Sequence, residues 1–221
     1  MPRTARASAA NLCYHVLNRG NGRQRVFHKR EDYAAFARLL GEAGERVPMR
    51  LVAWCLMPNH FHLVVWPRND GDLSRWMQWL MTSHVRRYHR HYKSSGHVWQ
   101  GRFKAFPIQQ DEHLATVLRY VERNPLRARL VRRAEAWQWS SLSEAGREEF
   151  PTLHAGPVPR GRDWSRWVNA AETEADVLAI RQSIARGTPY GADRWQRQTA
   201  RRLGLESSLN PRGRLLKGSK K

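Results

Sequence analysis

Apolar and polar positions divide the chain into short strand-like blocks and longer helix-like ones. Residues 12–18 form a dense apolar run that closes on the turn-rich Asn18-Arg19-Gly20-Asn21-Gly22, the pattern of a buried strand. Over 31–46, Tyr33, Phe36, Ala37 and Leu40 recur at helical spacing, and Gly44 and Pro48 mark the end. Residues 49–57 predict a second strand, and the short Pro58-Asn59 turn leads into a third beginning at His60, so the two form a hairpin. A second amphipathic helix is predicted over 72–90, with Leu73, Trp76, Met77, Leu80 and Met81 on one side. Arg86, Arg87, His89 and Arg90 cluster near its C-terminus, where cations answer the helix dipole. A third helix is predicted over 111–123, with Leu114, Val117, Leu118 and Val121 as its buried stripe and Tyr120 on the flank. After Arg132 the composition shifts, and an irregular, Pro- and Gly-rich stretch begins around Trp137-Gln138-Trp139-Ser140-Ser141. This places a boundary near residue 140, between a unit 1–140 and an extension 141–221. Helical patterns over 172–186 and 192–203 make that extension mainly helical.

Composition narrows the class. With 221 residues and 41% hydrophobic content the chain can bury a core. Its 39 Lys and Arg against 19 Asp and Glu give a formal net charge of +20, which points to a polyanionic partner, nucleic acid ahead of an acidic membrane surface. Arg outnumbers Lys, and its planar fork suits phosphate oxygens and base edges. The last 41 residues hold 11 Lys and Arg and 2 Asp and Glu, so the extension is strongly basic, and Arg212 and Arg214 in its tail are candidate DNA contacts. The first ten residues lack an apolar leader and no later segment is long and apolar enough to span a bilayer, so a cytoplasmic protein without a membrane partner is expected. Cys13 and Cys55 are too few for a disulfide framework and fit buried thiols in a reducing compartment.

Candidate chemistry centres on Met57-Pro58-Asn59-His60-Phe61-His62. A strand alternates faces, so His60 and His62 project side by side while Phe61 points to the other face. Such a pair is equally consistent with two structural imidazoles and with a grip for a divalent metal. Zinc would need a further Cys or His at finger spacing, which is missing, whereas Mg²⁺ or Mn²⁺ would need oxygen ligands. Asn124 offers an amide oxygen and lies four residues after Tyr120, on the same helix face. The competing account makes Asn124 the N-cap of a new helix whose first residue is Pro125. Arg19 and Arg23 flank a turn able to grip phosphate. In Gly96-His97-Val98-Trp99-Gln100-Gly101-Arg102-Phe103-Lys104-Ala105-Phe106, cations and rings interleave, the mixture that single-stranded nucleic acid rewards. His97, Trp99, Arg102 and Lys104 are therefore candidate contacts, against a strand whose aromatics only pack. Tyr88 and Tyr92, in a basic cluster, rival Tyr120 as a reactive phenol.

Four stretches, Tyr14-His15-Val16-Leu17-Asn18-Arg19-Gly20, the His60/His62 hairpin, the Gly96–Lys104 segment and Tyr120-Val121-Glu122-Arg123-Asn124-Pro125-Leu126-Arg127-Ala128, together resemble the REP-associated tyrosine transposases. These belong to the single-tyrosine branch of the HUH (His-hydrophobic-His) endonucleases. The resemblance covers residues 14–128 with four motifs in order, and extends less specifically to Gly187-Thr188-Pro189-Tyr190-Gly191 and Arg201-Arg202-Leu203-Gly204-Leu205. It implies an α+β fold, a ferredoxin-like antiparallel sheet with helices packed on it. It also implies a divalent metal, Mg²⁺ or Mn²⁺, held by His60, His62 and Asn124, with Tyr120 as nucleophile. The implied substrate is single-stranded DNA, folded as REP-type hairpins with an adjacent tetranucleotide and cut through a covalent 5′-phosphotyrosine. The implied protein is a bacterial, nucleoid-associated monomer. Two alternatives stay open, a non-catalytic domesticated hairpin-DNA-binding protein and a hydrolytic nuclease in which Tyr120 only stacks; an RNA partner is also open.

Overall fold

The computed structural model describes residues 8–145 and 151–210; Arg212 and Arg214 lie outside the described residues. In chain order the first elements are β1 (Cys13–Arg19), α1 (Arg30–Arg46), β2 (Met49–Met57), β3 (His60–Pro67), α2 (Asp72–Tyr92), β4 (Lys104–Ile108), α3 (Glu112–Glu122) and α4 (Asn124–Arg127). The strands pair antiparallel in the order β2-β3-β1-β4. A β-α-β-β-α-β path with this order is the ferredoxin-like arrangement. The extension adds α5 (Trp164–Asn169), α6 (Glu174–Arg186) and α7 (Asp193–Leu203). Of these, α5 falls next to the stretch read as irregular; its six residues are too short for a helical period to stand out.

Strand alternation gives the sheet two apolar faces. Tyr14, Val16, Phe61, Leu63 and Trp54 meet Phe36 and Leu40 of α1 and Leu73, Trp76 and Leu80 of α2. Cys55, Val64, Phe106 and Ile108 on the opposite face meet Leu114, Val117, Leu118 and Val121 of α3 and Ile180 of α6. Each fully buried side chain of this size contributes about 1.5–3 kcal/mol relative to exposure. Irregular pairing between Leu51 and Ala53 lets Val52 and Ala53 both serve the second face while Leu51 and Trp54 serve the first.

Both sheet edges are covered by later parts of the chain. Along β2, Leu56 N–H donates to Trp139 O and Ser141 N–H to Trp54 O, each at 2.8 Å. Along β4, Tyr190 N–H donates to Pro107 O and Gln109 N–H to Tyr190 O, each at 2.9 Å. This pairing satisfies backbone groups that an open edge would offer to another chain. No helix among the described residues is long and apolar enough to cross a membrane.

Candidate active site

The two central strands carry the histidines. Antiparallel register sets Arg19 of β1 opposite His60 and Leu17 opposite His62, all four on the α3 face. Tyr120 near the end of α3 and Asn124 at the start of α4 close over them. The result is a cleft of about 410 Å³ lined by His60, His62, Tyr120 and Asn124 together with Arg19, Arg127 and Arg181. The resemblance implies the first four as metal ligands and nucleophile, and the fold brings them to one place. The His60 and His62 rings lie 5.0 Å apart between centroids, and the Tyr120 ring is 5.9 Å from His62.

Hydrogen bonds orient both imidazoles. Asn59 donates through Nδ2 to Arg23 O at 3.0 Å, which turns its Oδ1 towards His60, where it accepts from Nδ1 at 2.6 Å. A neutral His60 with the proton on Nδ1 keeps its lone pair on Nε2. His62 Nδ1 shares a 2.8 Å hydrogen bond with Nε2 of His15, again leaving Nε2 as the nitrogen without a partner among the described residues. Burial lowers the His60 pKa to about 4, with the Arg19 charge adding to it. His62 is pushed well below its ordinary value, first by burial and then by His15, His60 and the neighbouring arginines. Both rings are thus held neutral, as ligation requires.

Asn124 does not act as a helix cap. Arg123 occupies the N-cap position in helical geometry and no side-chain cap bond is made, so α3 runs almost directly into α4 with Pro125 in the first turn. The Asn124 side chain is left without a hydrogen bond among the described residues and lines the cleft, only 8% exposed. Two imidazole nitrogens and one amide oxygen fit a divalent ion that retains open positions for oxygen ligands.

Three arginines, spaced four apart, fasten the Tyr120 segment to the extension. Arg119 donates to Ala170 O and Ala171 O, each at 2.8 Å, and Arg123 to Val168 O and Asn169 O at 2.9 and 2.6 Å. Arg127 clasps Glu172 through contacts of 2.7 to 3.1 Å, donates to Tyr120 O at 3.2 Å, and sets its guanidinium 4.1 Å from the Tyr120 ring centre. On the far side of α3 the buried Glu122 carboxylate accepts from Ser141 Oγ at 2.9 Å and Trp164 Nε1 at 2.6 Å. Burial raises its pKa, an effect the facing Arg160 opposes most strongly.

No role for His15, Arg127, Arg181 or Glu172 follows from the sequence alone. His15 shares strand parity with Leu17 and Arg19, and the Arg119-Arg123-Arg127 spacing is visible in the chain; the partners of these residues are not. The rival tyrosines stand elsewhere. Tyr92 donates to the buried Asp32 at 2.6 Å, and burial together with that carboxylate raises its pKa, while Tyr88 pairs with His28 at 3.0 Å. Of the predicted DNA contacts, Arg19 lines the cleft and Arg23 sits in the turn beside Asn59. His97, Arg102 and Lys104 are exposed, whereas Trp99 is buried against Phe27, Phe36 and Phe61. Asp111, Glu112 and His113 also bring metal-competent atoms together, but capping accounts for them, since Asp111 accepts from His113 N at 2.9 Å and Nδ1 at 2.8 Å.

Comparison with known proteins bears on the same region. The family described as transposase, IS200-like, matches residues 8–124, more than half of the chain and a span that contains His60, His62, Tyr120 and Asn124. A Haemophilus influenzae protein, provisionally named a REP-associated tyrosine transposase, is 32% identical over 109 residues, 44% of this chain. The chain spans 61% of the length of that relative. A solved REP-associated tyrosine transposase bound to a REP hairpin superimposes with a TM-score of 0.52 at 19% identity, covering 71% of this chain and 92% of the other. The α+β fold is thus shared with that transposase, and the chain belongs to the IS200-like transposase family.

Proposed function

We propose that the protein is a metal-dependent single-strand DNA endonuclease and strand transferase. It acts on REP-type hairpins with an adjacent tetranucleotide through a covalent 5′-phosphotyrosine. The observation that carries this reading is the convergence of Tyr120, His60, His62 and Asn124 in one cationic cleft. The family and the hairpin-bound relative support the choice of substrate.

The Tyr120 hydroxyl makes no hydrogen bond among the described residues, and its ring is wedged between His62 and the Arg127 guanidinium. A phenol is a weak nucleophile, so its attack is helped by nearby positive charge that stabilises the developing phenolate. Arg127 supplies one such charge, and Arg19 and Arg181 line the cleft where a phosphate enters. His60, His62 and Asn124 would hold Mg²⁺ or Mn²⁺, which when bound supplies Lewis-acid polarisation of the scissile phosphate. Tyr120 Oη bonds to phosphorus, the bond to the 3′ oxygen breaks, and the phenolic proton leaves to solvent as the 3′ oxygen takes one up. The phosphotyrosine retains the ester, so a 3′-OH attacking it rejoins DNA without ATP. Tyr120 reaches histidines of its own chain, which favours a monomer as the working unit.

The test incubates purified protein with a hairpin oligonucleotide carrying a single-stranded flank and resolves the products on a denaturing gel. Wild type with Mg²⁺ or Mn²⁺ gives a slow-migrating protein–DNA adduct that EDTA and Tyr120→Phe abolish. An adduct with Tyr120→Phe removes Tyr120 as nucleophile, and cut DNA without any adduct indicates a hydrolytic nuclease. Tight binding without cleavage at any metal concentration indicates a non-catalytic hairpin-binding protein.

A further inference from the structure

A second, larger cavity of about 660 Å³ opens on the other face of the sheet, between α2 and the loop 96–103. Met77, Met81, Val98 and Phe103 give it apolar walls, and the exposed Arg86 and Arg102 stand at it. Trp99 also lines it; that side chain is only 4% exposed, and its Nε1–H has no acceptor among the described residues.

The cavity lies back to back with the cleft. Leu17 and Arg19 line the cleft while Asn18 between them lines the cavity, because adjacent strand residues point to opposite faces. The loop is fastened to the same end of β1. Gln100 N–H donates to Arg19 O at 2.7 Å, Asn21 N–H to Val98 O at 2.9 Å, and Asn18 Nδ2 to Gly101 O at 3.1 Å. The backbone that carries Arg19 into the cleft is therefore also a wall of the cavity. Arg102 and Lys104, at the end of this loop, are exposed.

We infer that this cavity seats one unpaired nucleobase of the single-stranded DNA whose phosphate occupies the cleft, an assignment that rests on the proposed strand-transfer reading. A base has two apolar faces, which the methionine, valine and phenylalanine walls cover. Its edge carries acceptors for the exposed amide of Gln78, which also lines the cavity. Arg86 and Arg102 meet the flanking phosphates, which a neutral small molecule would leave unanswered. The volume falls within the range of small-ligand pockets.

The test measures binding by fluorescence anisotropy on Tyr120→Phe protein, so that DNA is bound without being consumed. Each nucleotide of the single-stranded flank is replaced in turn by an abasic one. One position weakens binding about tenfold or more, the scale of losing one stacked base. Thr82→Trp, which fills the cavity from an exposed position on α2, erases that penalty and leaves the other positions and the melting temperature unchanged. Arg102→Ala weakens all oligonucleotides alike and lowers the salt dependence. A penalty spread evenly along the flank, or one that survives Thr82→Trp, overturns the assignment. An RNA flank that shows the larger penalty overturns the choice of DNA. Adduct formation by wild type without any cavity-dependent position leaves the strand-transfer reading standing and removes the base pocket. A cavity-dependent position without any adduct does the reverse.

Discussion

Nε2 of His15 lies 2.8 Å from Nδ1 of His62, and the two rings are stacked 12° from parallel with centroids 5.0 Å apart. His15 is fully buried, and burial lowers its pKa to about 3, so it meets His62 as a neutral partner. Its position on β1, diagonal to His62 across the ladder, fixes the orientation of the imidazole proposed as a ligand.

Replacing that partner should loosen the metal site without emptying the fold. In His15→Phe the ring volume stays but the hydrogen bond is lost, and Mn²⁺ affinity should fall about 10- to 100-fold. Mn²⁺ titration followed by electron paramagnetic resonance reads this directly. Unchanged affinity would show that His62 needs no such support.

Arg127 is expected to matter for chemistry more than for binding. Arg127→Ala removes the guanidinium 4.1 Å from the Tyr120 ring and should slow adduct formation by about 10²- to 10³-fold, the cost of one well-placed charge at a reacting centre. Arg127→Lys should recover only part of the rate, because an ammonium cannot reproduce the two-pronged grip on Glu172. Single-turnover rates on a denaturing gel separate the variants.

Acid should destabilise the protein through its buried imidazoles. His84 sits among Phe27, Phe36 and Trp99, and burial lowers its pKa to about 3, with Arg87 adding to the shift. An unfolded histidine titrates near 6.5, so between these values the unfolded chain binds more protons and stability rises with pH. The contribution is complete above pH 6.5 and is lost as pH falls towards 3, at about 1.4 kcal/mol per pH unit. Urea unfolding between pH 4.5 and 7 should show a shallower slope for His84→Phe than for wild type.

The extension is expected to hold the Tyr120 helix in place. A chain ending at residue 140 loses Trp164 and Ile180 from the second apolar face and leaves Glu122 buried without Trp164, Ser141 or Arg160. Stranding a buried charge costs about 3–5 kcal/mol. That fragment should unfold without a cooperative transition in circular dichroism, whereas the full chain melts cooperatively. The milder Glu172→Ala should keep the fold and lower the adduct rate by freeing Arg127.

Most of the elements, and the parts of the candidate site that lie on them, were legible in local patterns along the chain. Period-two and helical patterns are local, so 49–57 and 72–90 could be read directly, and strand alternation alone set His60 and His62 on one face and Phe61 on the other. The four-residue step from Tyr120 to Asn124 was equally local. Whether Asn124 capped a helix or faced the cleft came from the fold alone, because that turns on the backbone of Arg123 and not on the Asn-Pro pair. It alone paired His15 with His62, 47 residues apart, and Arg127 with Glu172, 45 apart, since sheet register and the path of the extension set those meetings. It also turned Trp99 inward, where a reading of interleaved rings and cations had placed a stacking surface. The reason is one of range: spacing fixes which face a side chain takes, while the identity of what waits on that face depends on segments that approach only when the chain folds.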